Sequence, residues 1–120
     1  MVPLTIRSAT GTHQFTVEVA ATPEQQERGL MFRKSIGPDR GMIFPYEPAQ
    51  AVAFWMKNTL IPLDILFIRG DGTIARITKA EAMDLTPLPS GEPITAVLEI
   101  RSGRAAELGI KEGDTVRWTR

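Results

Sequence analysis

The sequence contains no cysteine and only one histidine, His13. Disulfide bonds, thiolate metal sites and cysteine nucleophiles are therefore excluded, as is a metal site built from several histidines. The glycine patterns of P-loops and Rossmann folds, the G-x-S-x-G elbow and the EF-hand loop are missing too. We accordingly expect neither a metal nor a cofactor. No apolar run approaches the ~20 residues of a membrane helix, so we expect no membrane span.

Charge of either sign is not in excess, because 14 basic and 14 acidic side chains give a formal net charge of +0. Without a broad basic field, nucleic acid is not an expected partner. The start, "MVPLTIRSATG", lacks a basic stretch followed by an apolar one, so no signal peptide is visible. With 120 residues, 42% of them hydrophobic, the chain is expected to form a single domain over residues 1–120 and to be a monomer.

Alternating apolar and polar residues predict several short β-strands. "PLTIRS" and "HQFTVEVA" alternate with period two and are joined by "ATG", which is typical of a hairpin. "LDILFI" is apolar on both faces apart from Asp64, which predicts an interior strand covered on two sides. The turn "RGDGT" leads into a returning strand. "AVAFWM" and "ITAVLEIR" predict further strands, the latter with Ile94, Ala96, Leu98 and Ile100 facing inwards.

Two short helices are predicted between these strands. The first runs from about Pro23 to Leu30, with Thr22 as its cap and Gln25 completing a capping box. The second, "GRAAEL", is expected to be capped by Ser102 and ended by Gly109. The pattern leaves no room for repeated βαβ units. We therefore predict a mainly β α+β domain, with an antiparallel sheet curled towards a partly open barrel.

Proline marks two further segments. The apolar run "GMIFPYEP" is expected to stop at Pro45 and Pro48. "EAMDLTPLPSGEP" predicts an irregular loop over the surface, which Met83, Leu85 and Leu88 are expected to fix over one mouth of the barrel.

The stretch "FWMKNTLIPLDILFI" places Lys57, Asn58 and Asp64 among aromatic and aliphatic residues. As a functional site, this trio would grip a small polar ligand beside an aromatic wall, and Lys57 with a carboxylate would suit acid–base chemistry. As a structural network, Asp64 would accept backbone N–H groups or pair with a cation, and Asn58 would hold the "NTLIP" turn. Since a buried carboxylate needs a partner, we expect Asp64 to be buried and paired, with the Lys57–Asn58 turn nearby.

Three more residues are candidates for ligand binding. Arg28 and Arg33 flank "GLMF", where two guanidinium groups would hold a carboxylate or phosphate. Their structural alternative is an ion pair with Asp64 or Glu47, or solvent exposure. Trp55 is expected to be exposed, because the residues on its face of the strand are alanines.

Several blocks occur in an order that resembles the domain of unknown function 192 family: "ERGLMFRKSI", "GMIFPY", "FWMKNTLIPLDILFI", "RGDG", "AVLEI" and "GRAAELGIKEGD". The resemblance runs from about His13 to Trp118. It implies a compact β-rich domain and an extracytoplasmic setting, periplasmic or secreted. It implies no reaction, substrate or cofactor.

Two functions follow from these residues. The first is a non-enzymatic binding or accessory domain, with a cleft for a small polar ligand or a protein partner around Trp55, Lys57 and Asn58. The second is a small hydrolase- or lyase-like enzyme that uses Asp64 with Lys57 or an arginine on a polar or anionic substrate. Glycosidase chemistry usually requires two carboxylates in one cleft, and Glu47 and Glu99 are only distant partners for Asp64. An enzyme should place two titratable groups within hydrogen-bond reach in one pocket.

Overall fold

The structure, a computed structural model, describes residues 1–119, within which the chain forms nine β-strands and two short α-helices. The strands are β1 (Val2–Ser8), β2 (Gly11–Val19), β3 (Arg40–Gln50), β4 (Ala53–Phe54), β5 (Leu63–Ile68), β6 (Ile74–Ala80), β7 (Leu88–Pro89), β8 (Ile94–Arg101) and β9 (Thr115–Trp118). The helices are α1 (Pro23–Arg28) and α2 (Arg104–Leu108). The predicted mainly β class with two short helices is confirmed. Neither helix in the described part of the chain has the length and apolarity to cross a bilayer.

Most strands belong to one curled sheet, with the order β6-β5-β8-β3-β2-β1-β9. Its pairs are antiparallel except for β2 and β3, which run parallel, so the sheet is mixed rather than purely antiparallel as predicted. The difference arises because α1 and the loop after it carry the chain back, so that β3 begins beside Thr16 and runs in the same direction as β2. At the two outer edges, Thr73 bridges Thr115. The sheet therefore curls into a half-barrel.

The curled sheet carries a separate apolar cluster on each face. The inner cluster includes Leu4, Ile6, Phe15, Leu66, Leu98 and Ile100. The outer cluster includes Met42, Phe44, Met56, Ile65, Phe67 and Val97, and it is covered by α1 and the loops around β4 and β7. All six residues of β5 are buried. Leu66 and Ile68 belong to the inner cluster, and Leu63, Ile65 and Phe67 belong to the outer one. The predicted two-sided interior strand is confirmed.

The helix boundaries confirm part of the capping prediction. Thr22 and Gln25 form the expected capping box on α1, although the helix ends at Arg28 rather than Leu30. Gly109 ends α2 in a left-handed conformation, as expected, but the N-cap of α2 is Gly103 and no side chain of its own segment caps it. The prediction for Ser102 was wrong, because Asp64 reaches across from β5 and accepts from the Ala105 amide at 3.1 Å.

Two segments differ from their predicted form. β3 continues through both prolines, and only its ladder with β8 is interrupted, between Pro45 and Gln50. The predicted stop was wrong because a proline removes one donor without forcing an edge segment out of extended geometry. The predicted strand "AVAFWM" is reduced to β4, which pairs with β7 in a separate two-stranded ladder.

The proline-rich loop is held by backbone hydrogen bonds rather than by all three predicted side chains. The amide of Met83 donates to the Thr59 carbonyl, and the amide of Ser90 donates to the Val52 carbonyl. Met83 and Leu85 remain exposed, whereas Leu88 packs against the outer cluster. Anchoring through Met83 and Leu85 was therefore a wrong prediction.

Candidate functional site

A cavity of about 200 Å³ opens on the outer face of the sheet, where the end of α1 meets β3, β4 and β8. Its lining includes the aromatic residues Phe44, Tyr46, Phe54 and Trp55. It also includes two carboxyl groups, those of Glu27 and Glu99, and the guanidinium of Arg28. The cavity exceeds the ~150 Å³ that suffices to hold a benzene molecule inside a protein.

The end of α1 is fixed close to the floor of this pocket. The Gln26 amide donates to the carbonyls of Ala20 and Pro45, both at 3.0 Å, and so ties the helix to the sheet. Gly29 then turns the chain with φ 49° and ψ −128°, a conformation that glycine adopts readily. A Cβ atom at Gly29 would lie 3.4 Å from Cζ of Phe44 and 3.7 Å from Oε1 of Glu99. The glycine thus lets the backbone approach the carboxyl group closely.

Glu99 lies at the buried end of the pocket and is only 4% exposed. Met42 on β3 and Ile65 on β5 are its partners across the sheet, so both neighbouring strands place apolar side chains beside it. Within residues 1–119 its carboxyl group has no hydrogen-bond or ion-pair partner, and burial alone raises the pKa of Glu99 to about 8. The group is therefore mostly protonated at neutral pH, and nothing in the described chain compensates its charge when it ionises.

The aromatic walls are held in defined orientations. Phe54 meets Phe44 edge to face, with ring centroids 5.0 Å apart, and it meets Phe67 of the core at 6.2 Å. Tyr46 is half-buried, and burial, followed by the nearby Glu99, raises the pKa of Tyr46 to about 12. The phenol is therefore neutral throughout the physiological pH range.

Two cations of the chain already lie on aromatic rings, and one residue of each pair lines the pocket. The ammonium of Lys57 is 5.3 Å from the centroid of the Trp55 ring. The guanidinium of Arg28 is 5.8 Å from the Phe32 ring. Trp55 is 50% exposed, as predicted. Arg28 and Trp55 line the pocket, with Lys57 beside Trp55, so the structure brings together three of the six candidate residues.

The other candidates have structural contacts that account for them. Asn58 adopts a left-handed conformation, and its carbonyl accepts from the Phe32 amide at 2.8 Å. Arg33 pairs with Glu18 through two hydrogen bonds of 2.6 and 2.7 Å, and this pair lowers the pKa of Glu18. The predicted structural alternative named Asp64 or Glu47 as partner, so the ion pair is present with a different acid.

Asp64 is buried, as predicted, and a backbone donor, the Ala105 amide, binds its Oδ2 atom. Its Oδ1 atom has no partner among the described residues. The side chain points to the face of β5 that carries Leu66, whereas Met56, next to Lys57, packs on the opposite face. The expected proximity of Asp64 to the Lys57–Asn58 turn was wrong, because alternation along β5 directs Asp64 towards α2.

Sequence reasoning named Glu99 only as a distant partner for Asp64 and not as a site residue. The available signal was the single carboxylate inside the apolar strand "ITAVLEIR", which parallels Asp64 in "LDILFI". Period-two alternation put Glu99 opposite the inward residues and thus towards solvent, because no local pattern shows that distant loops cover the second face. No cluster of three or more histidine, aspartate or glutamate side chains suited to a metal ion occurs in residues 1–119.

Comparison with known proteins places the chain among relatives without an assigned reaction. A crystal structure of a protein of unknown function from Novosphingobium aromaticivorans DSM 12444 is 47% identical with a TM-score of 0.94, and the match covers 98% of this chain and 85% of that one. A putative transcription regulator from Sinorhizobium meliloti 1021 is 41% identical with a TM-score of 0.94, over 98% of this chain and 92% of that one. No curated protein sequence matches significantly. The model of the DUF192 family, described as an uncharacterized ACR, matches residues 5–118, so the chain belongs to the DUF192 family, as its sequence blocks predicted.

Proposed function

We propose that this protein is a small non-enzymatic binding domain whose pocket at Glu99 takes a small organic ligand. One observation carries the proposal: a carboxyl group that is 4% exposed and has no partner in residues 1–119 faces an aromatic-lined cavity of about 200 Å³. Buried polar groups are normally paired, because leaving one unpaired costs free energy. A ligand that pairs with Glu99 would recover that cost.

The pocket also has the general composition of a ligand site. It combines aromatic walls with polar side chains, among them Gln26, Glu27 and Arg28, and small-molecule pockets use such polar groups to orient a ligand. The backbone around it is well supported, since Gln26 holds α1 and the Thr59 carbonyl accepts from Met83 across the two covering loops. A ligand would therefore enter a site that is largely formed in advance, which lowers the entropic cost of binding.

An enzyme is the second candidate, because a carboxyl group with a pKa of about 8 in a cavity is typical of a general acid. Against it, no two titratable side chains of this pocket are hydrogen-bonded to each other in the described chain. The structure also separates Asp64 from Lys57, so the pair considered from the sequence does not meet. Binding without turnover is the better-supported proposal.

The extracytoplasmic setting stays a proposal that rests on the family resemblance, and fractionation of the native host would test it. The Sinorhizobium meliloti relative is described as a putative transcription regulator, but the balanced charge of this chain gives no support for nucleic-acid binding.

A screen of small organic molecules by amide chemical shifts would test the proposal. Hits should shift the amides of Gly29, Phe54 and Thr59, which surround the pocket. Ala53→Phe should block those hits, because Ala53 is exposed and lines the mouth. Ala51→Phe is the matched control, since Ala51 is also exposed but does not line the pocket. Hits that survive Ala53→Phe, or a broad screen without any shift at these amides, would refute a ligand site here.

A further inference from the structure

Resting on the proposed function, we infer that the ligand of the Glu99 pocket is a small organic cation, such as an alkylammonium or quaternary ammonium ion. Its charge would lie beside the carboxylate of Glu99 and its alkyl groups against Phe44, Phe54 and Trp55. The structure supports this ligand class through three separate features: the unpaired carboxyl group, the aromatic walls and the cations that the chain itself places on aromatic rings.

A cation would stabilise the ionised form of the Glu99 carboxyl group. Among residues 1–119, no arginine or lysine pairs with Glu99, although the chain pairs Glu18, Asp39 and Glu92 with arginines. Charge-assisted hydrogen bonds to a carboxylate are about twice as strong as those between neutral groups. A cationic ligand would place beside the Glu99 carboxylate the positive charge that no arginine or lysine of the described chain places there.

The aromatic walls of the pocket also favour a positively charged ligand. Cations are attracted to the faces of aromatic rings within about 6 Å of the centroid. The chain makes that contact twice with a residue that lines the pocket, between Lys57 and Trp55 and between Arg28 and Phe32. Arg28 itself lines the pocket, with its guanidinium on the Phe32 ring, and no ion pair joins it to Glu99 among the described residues; Glu27 on the same helix also lines the pocket.

Binding of a cation would be linked to release of one proton. The charged and titratable groups that line the pocket beside Glu99 are Glu27, Arg28 and Tyr46, and the facing residues of β5 are apolar. Tyr46, with a pKa of about 12, keeps its proton, so Glu99 is the group that titrates. The cation enters as the Glu99 proton leaves to solvent, which leaves the charge of the pocket unchanged.

The linkage fixes the sign of the pH dependence. Below pH 8 the free carboxyl group is protonated, so the affinity for a cation should rise by roughly tenfold per pH unit and level off above pH 8. A neutral ligand that accepts a hydrogen bond from the protonated carboxyl group should show the opposite trend, with affinity falling above pH 8.

The experiment uses choline and its uncharged isostere 3,3-dimethyl-1-butanol as probes, in calorimetric titrations of the whole protein. At pH 8.5 choline should bind at least about tenfold more tightly than the isostere, and Glu99→Gln should remove most of that preference. At pH 6.5, the heat should depend on the buffer as expected for release of about one proton. Ala53→Phe should weaken choline binding, and Ala51→Phe should not.

Three other results would each refute a cationic ligand for this pocket. If the isostere or butyrate binds as tightly as choline and Ala53→Phe blocks it, the pocket is a ligand site but not one for cations. If choline and n-butylammonium both fail to bind, the cation class is refuted, and the amide-shift screen decides separately whether any ligand uses the pocket. If Glu99→Gln does not fold, choline binding to the wild type at pH 6.5 without proton release refutes the inference equally well.

Discussion

Replacing Glu99 by glutamine should stabilise the protein, and the gain should grow with pH. In the unfolded chain this carboxyl group ionises near its ordinary value of 4.5, whereas in the folded protein burial raises its pKa to about 8. Between these values the unfolded chain loses its proton while the folded chain keeps it. The free energy of unfolding of the wild type therefore falls as pH rises through this window.

The magnitude follows from the two pKa values. One pKa unit corresponds to about 1.4 kcal/mol, so the difference between 4.5 and about 8 amounts to about 5 kcal/mol when complete, and about 3 kcal/mol at pH 7. That is a large fraction of the 5–15 kcal/mol that typically separates folded from unfolded domains. A glutamine at this position stays uncharged, so the variant should lack the dependence.

Urea unfolding of both proteins at pH 5, 6, 7 and 8 would measure the effect. Groups shared by the two proteins cancel in the difference, and the acids with a lowered pKa, Glu18 among them, titrate below this range. The gap between Glu99→Gln and the wild type should widen by about 3–4 kcal/mol from pH 5 to pH 8. Parallel curves would show that the carboxyl group is compensated in the folded protein, and Glu99 would then need no ligand as its partner.

Three further substitutions test the core, the contact between β5 and α2, and the pocket one at a time. Phe67→Ala should cost about 3–5 kcal/mol in urea unfolding, because the side chain is fully buried on β5; a loss under 1 kcal/mol would contradict the interior strand. Asp64→Ala should cost about 1–3 kcal/mol by leaving the Ala105 amide unpaired, while choline affinity, measured by calorimetry, stays unchanged; lost binding with normal stability would make Asp64 a ligand residue. Trp55→Ala should weaken choline binding by about 2- to 30-fold, in line with a cation–aromatic contact of ~0.5–2 kcal/mol, and should barely move the thermal midpoint because Trp55 is half-exposed; equal affinity would remove Trp55 from the site.

The sequence pattern predicted correctly those elements that are determined by residues close together in the chain. The alternation in β1 and β2, the capping box at Thr22 and the two-faced burial of β5 all depend on residues within a few positions of one another. The mixed sheet was missed, because the parallel pairing of β2 with β3 depends on where the crossover after α1 returns. The cap of α2 was missed for a similar reason, since it comes from Asp64, 41 residues before the Ala105 amide.

The candidate site was predicted in part, for the same physical reason. Trp55, Lys57 and Arg28 belong to polar–aromatic blocks that stand out in the sequence; Trp55 and Arg28 line the pocket, and Lys57 lies on the Trp55 ring. Its buried end was not predicted, because the burial of Glu99 is created by loops that are far away along the chain. A carboxylate inside an apolar strand was weighed as a site at Asp64, which binds the Ala105 amide, but only as a distant partner at Glu99, which lines the cavity.

The pKa of the Glu99 carboxyl group, measured by carbon NMR titration of glutamate-labelled protein with and without choline, tests the central claim most directly. The free protein should give a pKa of about 8, and saturation with choline should lower it, because the bound cation stabilises the carboxylate. A pKa near 4.5 in the free protein, or a raised pKa that choline does not change, would contradict the account of this pocket as a cation-binding site.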